Sequence, residues 1–70
     1  MKLKQAVKKA KVLGYNWVAV DGNSIYMYKN KPTYSYYYCE WQSDDTSFID
    51  GYYLDEYTGR KFNYDTRREV

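Results

Sequence analysis

The sequence contains no histidine, one cysteine, one proline and no long hydrophobic run. Without histidine, the chain lacks the commonest general base and metal ligand of proteins. A single cysteine, Cys39, excludes an intramolecular disulfide, and no imidazole is present to activate its thiol. The short apolar stretches exclude a membrane-spanning helix and a secretory signal of the usual form. We therefore expect a protein of the reducing cytoplasm that is not an enzyme and holds no cofactor or metal.

A large charge of either sign is also missing. The formal net charge is +2, so the chain is not an acidic mimic of DNA and has no strong overall attraction for polyanions. With 44% hydrophobic residues, the chain is not disordered by composition. Its 70 residues are enough for one small core, and we expect a single domain over residues 1–70.

Apolar residues recur at helical spacing in residues 2–13 and predict one helix there. The stripe consists of Leu3, Ala6, Val7, Ala10 and Leu13. Gly14 follows where a residue in the left-handed conformation usually ends a helix. Lys4, Lys8 and Lys11 share another face of this helix, at positions i, i+4 and i+7. Two interpretations stay open for these lysines, a solvated surface and a contact face for phosphate or an acidic partner.

Short apolar and aromatic runs separated by turn residues predict antiparallel strands after the helix. The predicted strands are residues 15–20, 25–29, 33–42 and 47–54, with residues 61–66 as a further strand or an irregular tail. Asp21 and Gly22 begin the first turn, which predicts a hairpin. Gly51 predicts a bulge or a close backbone approach. The fold class is therefore α+β, an N-terminal helix packed on a three- to four-stranded antiparallel meander sheet.

Tyrosine is the most unusual feature of the composition, at 11 residues of 70. Residues 33–42 (TYSYYYCEWQ) predict one long aromatic strand whose side chains alternate between two faces. Cys39 and Trp41 lie on the face that we expect to meet the helix, together with Trp17 and with Ile25 or Met27 of the two preceding strands. Tyr34, Tyr36 and Tyr38 lie on the other face, which we expect to be exposed. Each tyrosine ring favours burial, while its hydroxyl favours a polar partner.

Several short motifs resemble small uncharacterised proteins encoded in bacteriophage genomes. They are YNWVAVDG at 15–22, IYMY at 25–28, KP at 31–32 and, in part, DTRREV at 65–70. The phage proteins open with a basic helix that ends in glycine, and their tail carries an apolar residue where this chain has Arg67. The tryptophan that usually precedes the tail is replaced by Tyr64. The resemblance implies a phage origin and a location in the host cytoplasm, and it implies no particular activity.

Three hypotheses for function follow. The first is a small accessory protein that binds a protein partner through a tyrosine-rich sheet surface and inhibits a host or defence factor. The predicted contact residues are Tyr26, Tyr28, Tyr34, Tyr36 and Tyr38. The alternative is a nucleic-acid-binding module that stacks bases on these rings and contacts phosphates through Lys4, Lys8 and Lys11. A third hypothesis is a homodimer that pairs exposed strand edges or buries the tyrosine face. Tyrosines that merely cover a thin sheet would also explain the pattern.

Overall fold

The computed structural model describes residues 1–37, 40–43, 51–60 and 65–70. Within these ranges the chain forms α1 (Leu3–Val12), β1 (Trp17–Asp21), β2 (Ser24–Tyr28), β3 (Pro32–Ser35), β4 (Glu40–Ser43), β5 (Tyr52–Glu56) and β6 (Arg68–Glu69). The helix packs on a four-stranded antiparallel sheet, and β3 and β4 form a separate two-stranded sheet. The predicted α+β class, with an N-terminal helix on an antiparallel sheet, is confirmed.

The end of α1 follows from Gly14, as the sequence predicts. Gly14 has φ +87°, a conformation that side chains with a Cβ rarely adopt. Its N–H donates to the Lys11 carbonyl at 3.1 Å, and the N–H of Tyr15 donates to the Ala10 carbonyl at 2.9 Å. These two bonds form a Schellman motif, which satisfies the last carbonyls of the helix. The motif turns the chain directly into β1.

The four-stranded sheet has the order β5-β2-β1-β6. β1 and β2 form a hairpin through a two-residue turn at Gly22 and Asn23, in which Gly22 has φ +60°. β5 pairs with the outer edge of β2 and β6 with the outer edge of β1. The register of β5 shifts between Ile25 and Tyr26, where a bulge interrupts the ladder. The hairpin of β3 and β4 is inserted between β2 and β5 in the chain, so the four strands do not follow each other directly.

The predicted long strand over residues 33–42 is wrong. The chain reverses direction, so β3 pairs antiparallel with β4 and not with β2. β3 ends at Ser35 and β4 begins at Glu40, and of the four residues between them Tyr38 and Cys39 lie outside the described residues. Four-residue hairpin loops are usually built around a type I turn, which most residue types tolerate. A reversal of this kind needs no glycine. The aromatic residues of 33–42 continue a strand-like pattern, so the sequence does not mark the turn.

Aliphatic side chains fill the space between α1 and the four-stranded sheet. The buried cluster consists of Ala6, Ala10, Val18, Val20, Ile25, Met27 and Leu54. Leu3 and Val7 are partly buried against this cluster. The predicted contact of the helix with Ile25 or Met27 is therefore confirmed, and both residues take part in it. Leu13 departs from the prediction, because it follows the last helical turn as the cap and is half exposed.

The opposite face of the four-stranded sheet is covered by the hairpin of β3 and β4. Ala19, Tyr28 and Trp41 form a second buried cluster there, flanked by Trp17 and Tyr26. Successive residues of a strand point to opposite faces, so this cluster and the helix lie on different sides of the sheet. The predictions that Trp17 and Trp41 meet the helix are therefore wrong, and Cys39, predicted on the same face, lies outside the described residues. The expectation that nothing covers this side fails for the same reason, since the hairpin provides the cover.

Gly51, just before β5, permits a close approach that the sequence predicts. A Cβ at this position would lie 2.8 Å from Cε2 of Tyr28. Tyr28 is buried and has no room to move, so the glycine backbone packs directly against its ring. The predicted strand over 47–54 begins only at Tyr52, and residues 44–50 lie outside the described residues.

Candidate functional site

The hairpin of β3 and β4 is attached to the sheet through the backbone of Trp41. The N–H of Trp41 donates to both carboxylate oxygens of Asp21, at 3.0 and 3.2 Å. The hydroxyl of Tyr28 donates to the carbonyl of Trp41 at 3.4 Å. Two side chains of the main sheet thus bond the peptide groups of Trp41, and its indole ring is buried between the sheets. This attachment fixes the position of the tyrosines that β3 and its loop carry.

The last described segment, residues 65–70, is bonded to the outer edge of β1. Thr66 is fully buried. Its hydroxyl accepts a hydrogen bond from the N–H of Val20 at 3.0 Å and donates to the Val20 carbonyl at 3.5 Å. The threonine side chain therefore replaces a strand at the outer edge of β1, beyond the two residues of β6. The segment predicted as a strand or an irregular tail over 61–66 contributes this anchor, while residues 61–64 lie outside the described residues.

Arg67 connects this segment to the hairpin. Its guanidinium donates to the Pro32 carbonyl at 3.0 Å and lies 5.0 Å from the centroid of the Trp41 ring. It also binds both carboxylate oxygens of Asp65, at 2.5 to 3.0 Å. This hydrogen bonding holds the pKa of the Asp65 carboxyl below its ordinary value and raises the pKa of Arg67. A cation that lies over an indole ring and also donates to a carbonyl restrains the hairpin against the sheet.

Four tyrosines, Tyr26, Tyr34, Tyr36 and Tyr53, form the candidate site, which we call the tyrosine surface. Tyr34 contacts Trp41 edge-on, with ring centroids 5.3 Å apart, and Tyr36 contacts Tyr34 at 5.2 Å. Tyr26 packs against the cluster that contains Trp41, and its ring meets Tyr53 at 6.0 Å. Two ring pairs, Tyr26 with Tyr53 and Tyr34 with Tyr36, therefore border the buried cluster of Ala19, Tyr28 and Trp41. Edge-to-face contacts of this kind are favourable and restrict the orientation of the rings.

Exposure differs sharply among these tyrosines. Tyr36 is 87% exposed and Tyr53 is 59% exposed, whereas Tyr26 is partly buried. Tyr28 is 1% exposed, so its predicted place on an exposed contact face is wrong. It belongs to the core because the hairpin covers it. Tyr38 lies outside the described residues. Tyr53 was absent from the predicted site, since only the pairing of β5 with β2 brings it beside Tyr26.

The lysines predicted as contacts, Lys4, Lys8 and Lys11, are all exposed on α1. The helix and the tyrosine surface lie on opposite sides of the four-stranded sheet. The structure therefore does not join the helix lysines and the tyrosine rings into one surface. Besides Arg67, two lysines outside the helix lie beside aromatic rings. Lys29 is 4.5 Å from the centroid of Tyr15, and Lys31 is 5.6 Å from the centroid of Trp17.

Among the described residues, no three side chains of the metal-ligating types gather into a group that could hold an ion. The ten-residue helix α1 falls short of a bilayer span, and no other described helix is long and apolar enough for one. Comparison with models of protein families, with curated proteins and with solved structures finds no match to this chain. The resemblance to phage-encoded proteins therefore stays a prediction from the sequence motifs.

Proposed function

We propose that this chain is a small binding protein that recognises a protein partner through the tyrosine surface. The observation that carries the proposal is the exposure of Tyr36 and Tyr53 on rings that are already held in place by Tyr34 and Tyr26. Tyrosine is enriched where protein interfaces are most buried, because a rigid ring gives a large contact area at a small cost in side-chain entropy. The resemblance to phage-encoded proteins extends the proposal to a host or defence factor as the inhibited partner.

Nucleic acid has weaker support as the partner. Binding to phosphates depends on clustered cations, and the lysines of α1 lie across the sheet from the rings. The net charge of +2 adds little general attraction. A mobility shift that weakens steeply with salt would nevertheless favour this alternative, because released counterions give phosphate contacts that dependence.

The test compares tyrosine-to-serine changes on opposite sides of the four-stranded sheet. Tyr36→Ser with Tyr53→Ser removes the two most exposed rings of the tyrosine surface. Tyr52→Ser is the control, because Tyr52 is 57% exposed, adjacent in sequence, and in contact with Tyr15 on the helix side. Proteins captured from a lysate of the producing cell are quantified for each variant. We expect a partner that is lost with the double variant and retained with Tyr52→Ser, while circular dichroism remains unchanged.

Retention of every captured partner by the double variant would contradict the proposal. Equal loss in both variants would contradict it too, because the helix side of β5 would then matter as much as the tyrosine surface.

A further inference from the structure

We propose that the outward face of α1 is a second contact surface, and that its occupant is an acidic protein segment that also carries an apolar side chain. We call this face the lysine face and define it as Lys4, Lys8, Lys9, Lys11 and Val12. It lies on the opposite side of the sheet from the tyrosine surface, and it can be tested separately.

Val12 lies in the middle of the solvent-facing side of the helix. It follows Lys8 by four residues and Lys9 by three, so both lysines are its neighbours on the helix surface. The buried side of α1 is centred on Ala6 and Ala10. Val12 is 86% exposed, and the half-exposed Leu13 follows it. An aliphatic side chain surrounded by cations is therefore presented to solvent.

The charged side chains of residues 1–20 are all positive. The first acidic residue of the chain is Asp21, which lies at the far end of β1. None of the lysines in the lysine face forms an ion pair with a residue that the structure describes. Five lysines lie within the first eleven residues, whereas the chain as a whole has a net charge of only +2. The charge is therefore concentrated on the helix, and its complement is an acidic surface.

The apolar residue favours a protein segment over nucleic acid as the occupant. Phosphate contacts require only cations, and the lysine face offers no aromatic ring on which a base could stack. An exposed valine gains free energy only when it meets another apolar group. A segment with acidic residues around an aliphatic side chain would pair with the lysines and also cover Val12. Amphipathic helices bind protein surfaces through this combination of charged and apolar contacts.

The test measures binding of three fluorescent probes to the full chain by anisotropy. The first probe is a synthetic amphipathic peptide of glutamate and leucine. The second has the same charge, with serine in place of leucine, and the third is a single-stranded oligonucleotide. The variants are Val12→Ser, which leaves helix propensity nearly unchanged, and Lys8→Gln with Lys11→Gln. Tyr36→Ser serves as a control that alters only the tyrosine surface.

We expect the leucine peptide to bind more tightly than the serine peptide at low salt. Val12→Ser should weaken the leucine peptide by about tenfold if the valine becomes buried, and it should leave the serine peptide unaffected. The lysine variant should weaken both peptides, and Tyr36→Ser neither.

Four results would overturn the proposal: equal binding of the two peptides, no effect of Val12→Ser, tighter binding of the oligonucleotide, or no binding at low salt. Self-association that Val12→Ser abolishes would assign the lysine face to a second copy of the chain instead.

Discussion

The two faces of the four-stranded sheet are covered in physically different ways. On one face, α1 packs through small and aliphatic side chains, with Ala6 and Ala10 allowing the helix to approach closely. On the other, the hairpin of β3 and β4 packs through aromatic rings, and the polar side chains of Asp21, Tyr28 and Arg67 bond its backbone. The first contact is non-directional, whereas the second depends on a few hydrogen bonds of defined geometry.

This difference explains where the candidate site lies. Apolar packing buries the helix side around Ile25 and Met27, and α1 itself presents mainly lysines, Val12 and Leu13 to solvent. The one large ring exposed on that side, among the described residues, is Tyr52 on β5. The hairpin covers only part of the other face, and the rings at its border stay exposed. Rings at the border of the hairpin are buried on one side only. The tyrosine surface therefore lies where the hairpin stops covering the sheet.

Removing the central ring of the hairpin face should have the largest effect. Trp41→Ala deletes a buried indole, and such changes cost about 3–5 kcal/mol. Hydrogen exchange should show lost protection in β3 and β4, with smaller losses in β1 and β2. Ile25→Ala, on the helix face, should instead lower protection throughout the four-stranded sheet. A uniform loss in Trp41→Ala would mean that the two faces are not separable.

Removing the hydroxyl of Thr66 tests how residues 65–70, which also contact the hairpin through Arg67, are bonded to β1. Thr66→Val keeps the side-chain shape but leaves the buried N–H and carbonyl of Val20 without the hydroxyl partner. The free energy of unfolding should fall by about 1–3 kcal/mol, measured by denaturant titration. Thr66→Ser keeps the hydroxyl and should recover much of the loss. Equal losses in the two variants would show that the methyl group, and not the hydrogen bond, stabilises this edge.

The charge pair beside the hairpin should have the smallest effect. Asp65 is half exposed in its pair with Arg67, so the solvent-screened pair contributes at most about 1 kcal/mol. The pKa of Asp65 is lowered in the folded state, so the contribution is present above the ordinary pKa and lost as the pH falls through the folded value.

Asp65→Asn should therefore melt slightly lower than the unaltered chain near neutral pH. The difference should vanish at pH values well below about 4, where an ordinary aspartate is protonated. A constant difference across this range would assign the effect to hydrogen-bond geometry instead of charge.

Much of the helix side was predictable from the chain itself. The spacing of Leu3, Ala6, Val7 and Ala10 predicted the helix, and Gly14 predicted where it ends, because both depend on local geometry. The turn at Gly22 likewise predicted the hairpin of β1 and β2. The contact of the helix with Ile25 or Met27 was also predicted, and both residues pack there.

The hairpin of β3 and β4 could not be predicted from the sequence in this way. Residues 33–42 alternate as one strand would, and only tertiary packing decides that the chain reverses and places Tyr34 opposite Trp41 on the same face. That reversal buries Tyr28 and leaves Tyr36 exposed. The pairing of β5 with β2 then brings Tyr53 beside Tyr26.

The sequence by itself determined the helix, its end, the first hairpin and the α+β class, because hydrophobic period and glycine conformation act over a few neighbouring residues. Only the tertiary structure decided which face each aromatic ring occupies and which tyrosines remain exposed. A tyrosine gains free energy both in a core and at a surface, so its local pattern does not distinguish the two places. The choice depends on contacts between strands that are distant along the chain.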